Sequence, residues 1–62
     1  MRVILQSVSR NMVGNLADVR ADILEHTGPY ERVRDTIIVR VEGGARMTND
    51  ELEAKVEEVY NG

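Results

Sequence analysis

Hydrophobic and polar positions along this chain follow a period of two, then a helical period, then two again, and finish on a second helical run. From Arg2 to Val8, Val3 and Leu5 share one parity while Arg2, Ile4, Gln6 and Val8 share the other, which predicts a short strand. Met12, Leu16, Val19 and Ile23 then recur at spacings of four, three and four, and Leu24 widens the stripe. That spacing predicts an amphipathic helix beginning at about residue 12 or 15. Asn11 and Asn15 can each cap its start. Gly28 and Pro29 stop it near His26 or Thr27.

The period returns to two between Val33 and Val41. Val33, Asp35, Ile37, Val39 and Val41 fall on one side, and Arg32, Arg34, Thr36, Ile38, Arg40 and Glu42 on the other. A strand with a dry valine side and a charged side is expected, with Asp35 at its mouth. Gly43-Gly44 supplies a tight turn, with room for a brief third strand over Ala45 to Met47. Thr48-Asn49-Asp50-Glu51 reads as a capping box, and Leu52, Val56 and Val59 continue as the apolar stripe of a second helix, with Tyr60 beside it. Glu51 and Lys55 are spaced for a surface pair.

The expected architecture is α+β: one domain over residues 1–62, ordered β-α-β-α, with a two- or three-stranded sheet packed on two amphipathic helices. If the two main strands are neighbours, the intervening helix makes a right-handed parallel crossover; a meander using the extra strand is the competing topology. Two or three strands make a weak sheet alone, so completion by homo-oligomerisation is expected.

Composition sharpens that expectation. A chain of 62 residues buries only about 60% of its unfolded surface. No cysteine is present to form a disulfide, and the single histidine leaves no Cys/His zinc framework. Association with further copies is the support that remains. The two tyrosines, Tyr30 and Tyr60, are the only aromatics, so the core must come from aliphatic residues. No targeting stretch or bilayer-length apolar run is visible, and a soluble cytoplasmic protein is the expectation.

The net charge of −3 is unevenly spread. Residues 1–46 hold seven arginines against six acids, whereas residues 47–62 hold Lys55 against five acids. With the valine side buried, Ile4, Val8 and Ile38 would lie on the opposite face inside a rim of Arg2, Gln6, Arg10, Arg32, Arg34 and Arg40. An apolar centre with a cationic rim has the make-up of an interface. The candidate binding residues are therefore Arg10, Tyr30, Arg32, Arg34, Ile38 and Arg40. Glu57 and Glu58, disfavoured by the dipole in the last helical turn, are candidate partners for arginines of the same or a neighbouring subunit.

Three uses of that face compete: self-association or a plain solvated sheet face, docking of another protein, and capture of an anionic ligand, nucleotide or nucleic acid, with Tyr30 available for stacking. Nucleic acid is the weaker partner, since the sequence pI is about 5.0 and the aromatic pair of an RNA-reading sheet is missing. No membrane partner and no cofactor are expected. Catalysis is not expected either: there is no cysteine nucleophile, neither Ser7 nor Ser9 sits in a nucleophile turn, and His26 reads as a helix-end residue. Asp18, Asp22 and His26 would share a helical face, but three ligands without supporting groups make a poor metal site. "EGGAR" lacks the lysine and hydroxyl of a phosphate loop.

No family pattern matches residue by residue. In type, the chain resembles the small interaction proteins that phages and mobile elements use to bind or block a host factor, an analogy of size and charge separation. The expected function is a non-enzymatic, homo-oligomeric inhibitor, sequestering or adaptor protein acting on a protein or anionic ligand, with a nucleic-acid-binding transcriptional regulator as the alternative.

Overall fold

The segment expected to form the first helix is instead the middle strand of an antiparallel sheet. In the computed structural model, which describes residues 2–62, β1 (Arg2–Asn11), β2 (Leu16–Thr27) and β3 (Tyr30–Glu42) form a meander in the order β1-β2-β3. A 3-10 turn over Gly44–Arg46 leads to one α-helix, α1 (Asn49–Asn61). The α+β class holds. The first of the two expected helices and the parallel crossover do not, and both pairings are antiparallel.

Two patterns overlap in β2. Met12, Leu16, Val19 and Ile23 fit a helix, but Ala17, Val19, Ala21 and Ile23 alternate, and these four are the residues of β2 that are fully buried. Met12 is largely exposed in the turn before the strand. Alanine reads as a helix former in isolation, yet here its small side chain admits close neighbours above the sheet. Gly28 does not end a helix: with φ 62° it opens the two-residue hairpin loop between Thr27 and Tyr30, where a positive φ matches the strand twist.

Two bulges reset which side chains face the helix. In β1 the register shifts between Leu5 and Ser7, so Val3, Leu5, Val8 and Arg10 share the helix side despite their mixed parity. Val8 therefore packs against the core and leaves the opposite face where it was expected. In β3 the register shift at Arg34 moves Val33 to the helix-free face, where it is mostly exposed. Beyond that bulge the expected alternation holds, with Val39 and Val41 buried and Ile38 76% exposed.

The third strand expected after the glycines is replaced by the 3-10 turn, because the chain must pass tightly over β2 and β3. A Cβ on Gly44 would lie 2.9 Å from the Ala17 Cβ and 3.0 Å from the Val41 Cβ, so only glycine fits. The capping box forms as read: the Glu51 amide donates to the Thr48 hydroxyl at 3.2 Å, and the Thr48 amide donates to the Glu51 carboxylate at 3.1 Å. Lys55, expected to pair with Glu51, pairs instead with Glu58 at 3.6 Å.

α1 lays Leu52 and Val56, both fully buried, onto Val3, Val19, Ile23, Val39 and Val41. Thirteen helical residues reach about 20 Å, whereas the longest dimension of the protein is 44 Å. The helix thus covers one end of one sheet face. The Gly28-Pro29 end of the hairpin projects past both β1 and the core.

Leu52→Ala is expected to cost about 2–5 kcal/mol, against roughly 3–9 kcal/mol for the whole of so short a chain. Circular dichroism should show a folded fraction strongly reduced or lost at room temperature; a melting curve like that of the parent chain would contradict this account of the core.

Candidate interaction surface

Five of the six sequence-nominated residues, Tyr30, Arg32, Arg34, Ile38 and Arg40, lie on β3, and β3 is an edge strand. Arg10 lies on the opposite edge strand, β1, facing the helix side. Its guanidinium donates to the backbone carbonyls of Gly44 (3.3 Å), Ala45 (3.2 Å) and Met47, and to Asn49 Oδ1 at 3.1 Å. Arg10 is therefore a clamp that holds the 3-10 turn and the start of α1 against the sheet.

The expected cationic rim is neutralised across the strands. Arg40 Nε donates to Asp18 Oδ1 at 3.0 Å, and this hydrogen bond, reinforced by the carboxylate's charge, raises the arginine's pKa. Arg32 contacts Glu25 at 3.0 Å, Arg34 approaches the other oxygen of Glu25 at 3.8 Å, and Arg2 meets Glu31 at 3.1 Å. Exposed pairs of this kind add little stability each. They do occupy the guanidinium groups that an anion would need.

Glu57 and Glu58 sit on the helix layer, and among the described residues the ion pair made there is that of Glu58 with Lys55. The carboxylates expected to serve the arginines are instead those of the neighbouring strands. As strand residues four apart, Asp18, Asp22 and His26 are separated by about 13 Å per step, too far to share an ion. Asp18 holds Arg40, and Asp22 accepts from Gln6 and Thr36. No group of side chains able to hold a metal is found among the described residues.

Two open depressions lie on the surface. One, of about 350 Å³, is polar and lies beside the β1 bulge, lined by Gln6, Ser7, Arg20 and Asp22. The other, of about 250 Å³, runs between the β3 edge and α1, lined by Val39, Arg40, Val41 and Glu42 of the strand and Lys55, Glu58 and Val59 of the helix. Its apolar wall is Val59, 58% exposed. Sequence reading placed Val59 on the buried helix stripe. Only the position of α1 relative to β3 shows that this residue overhangs the sheet edge.

The two edges of the sheet differ. β1 is interrupted mid-strand by its bulge and shows Ser7, Ser9 and Asn11 on its helix-free face. β3 has its own bulge at Arg34, but from Thr36 to Glu42 it is regular, contains no proline and bears only Arg40 and Glu42 as charged residues, with Ile38 and Val59 exposed beside it. Short, bulged or charged edges resist pairing with other strands, whereas a long regular edge with apolar flanks invites it.

No protein-family model, curated protein or solved structure matches the chain. No helix among the described residues is long and apolar enough to cross a membrane.

Arg10→Met, which keeps the aliphatic stem and removes the donors, is expected to lower stability by about 1–2 kcal/mol. Urea denaturation would measure this. An unchanged midpoint would show that the clamp carries no net stability.

Proposed function

We propose that this chain is a non-enzymatic binding protein that takes an extended strand from a protein partner along β3, acting as an inhibitor, sequestering protein or adaptor. One observation carries the reading: a sheet edge of regular register from Thr36 to Glu42 opens directly onto a groove of mixed apolar and charged lining, with a helix as its far wall. Such a site meets both needs of an incoming strand. The edge offers main-chain hydrogen bonds, and Val39, Val41 and Val59 offer apolar contact to alternate side chains.

A protein partner is favoured over an anionic ligand by the charges. Arg2, Arg32, Arg34 and Arg40 are each engaged by a carboxylate of this chain, so an anion would have to displace one at each contact. The same pairing weighs against nucleic acid, whose affinity rests on cations free to neutralise phosphates. The interleaved signs along β2 and β3 suit a surface that discriminates among proteins.

A synthetic peptide with the sequence of residues 35–42 serves as a generic extended probe. Nuclear magnetic resonance titration is expected to give saturable shifts confined to residues 36–42 and the α1 wall around Val59. Nucleotides and oligonucleotides at low salt are expected to give none. Shifts located elsewhere, or tight oligonucleotide binding that weakens steeply with salt, would overturn the reading.

A further inference from the structure

We infer that the strand taken up at this edge is β3 of a second copy, paired antiparallel about a two-fold axis near Val39. This rests on the reading of β3 as a strand-accepting edge and names its occupant. The axis stands perpendicular to the sheet. It joins two three-stranded sheets into one of six strands and leaves both helices on the same side.

The regular part of β3 is its own best complement. The bulge-free stretch from Thr36 to Glu42 has Val39 at its centre, so a register centred there gives the longest uninterrupted overlap. An antiparallel overlap of that length forms about six to eight main-chain hydrogen bonds, the one from the Thr36 amide replacing its bond to Asp35 Oδ1. Across the new seam, Val39 faces the partner's Val39 and Ile37 faces the partner's Val41, which continues the apolar layer under the helices. On the helix-free face, Ile38 meets the aliphatic stem of the partner's Arg40, and the Thr36 hydroxyl meets the carboxylate of the partner's Glu42.

Neighbouring registers are worse. Centring on Arg40 opposes two guanidinium groups directly. Centring on Ile38 sets Val41 against the partner's Asp35 and runs the overlap closer to the bulge. Like charges directly opposed, or a charge set against an apolar neighbour, weaken a cross-strand pair.

The groove adds a second match. Lys55 and Glu58 both line it, with side chains 48% and 72% exposed. The two-fold axis turns the Lys55 of each helix toward the other copy's Glu58, so a pair made within one helix can be exchanged between two. Val59 of each copy closes over the joined edge. The isologous arrangement needs one patch only, used twice.

The test uses the full chain, which has no native cysteine. Analytical ultracentrifugation is expected to show a concentration-dependent dimer. Ile38→Lys, at an exposed position, should shift it to monomer without changing the circular dichroism. Val39→Cys should oxidise to a cross-linked dimer, because directly opposed strand residues fall within disulfide reach. Ser9→Cys on the other edge should not.

A monomer at every concentration overturns the inference, as does a dimer that survives Ile38→Lys and resists cross-linking through Val39→Cys. In either case, probe-peptide shifts that remain on the β3 edge leave the strand-accepting reading intact. Their absence removes both.

Discussion

The alternating small and branched residues Ala17, Val19, Ala21 and Ile23 are the constraint on which the rest of this structure depends. They are fully buried, lie on the strand flanked by β1 and β3, and set how closely the next layer approaches. Ala17 is small enough for Gly44 to pass over it, which turns the chain from β3 into α1. Without that tight crossing, Leu52 and Val56 would not meet Val19 and Ile23 in one cluster. The helix, its cap and the Arg10 clamp all follow from a middle strand that leaves room above itself.

The same geometry decides where interaction can occur. A single helix cannot cover two faces and two edges, so the chain protects them unequally. The helix-free face is stitched by carboxylate contacts to Arg40 and Thr36, and the β1 edge is broken by its bulge. Along residues 36–42 the β3 edge carries no bulge, although Thr36 and Arg40 hold carboxylates on its helix-free face and the Thr36 amide donates to Asp35 Oδ1 at 3.0 Å. The arginines that drew attention in the sequence act within the molecule, as cross-strand partners of Asp18 and Glu25, and the functional interest moves to the backbone that carries them.

Much of this was legible in the sequence where one signal acted alone. β1, β3, the capping box at Thr48 and Glu51, and the buried pair Val39 and Val41 follow from local rules. β2 was not legible in the same way. Its residues satisfy a helical period and a strand period together, and the choice between them is made by neighbours, since a twelve-residue strand gains two pairing partners and a helix layer. The bulges at Gln6 and Arg34 leave no mark in residue type, yet each reverses parity for the residues beyond it, taking Val8 inward and Val33 outward. Arg10 was misassigned for that reason. Val59 as a groove wall depends on where α1 crosses β3, which periodicity does not encode.

The projecting end of the hairpin has a kinetic consequence. Among the described residues, the pairs Glu25–Arg32, His26–Glu31 and Thr27–Tyr30 around Gly28 and Pro29 lie beyond Leu24, the partner of Arg2, and away from the helix. Local opening there exposes almost no apolar area, so those amides can exchange through fraying, while the amides of β2 that pair under the helix open far more rarely. The chain thus joins a packed base to a ribbon held by exposed ion pairs, one whose fraying leaves the fold that anchors it in place.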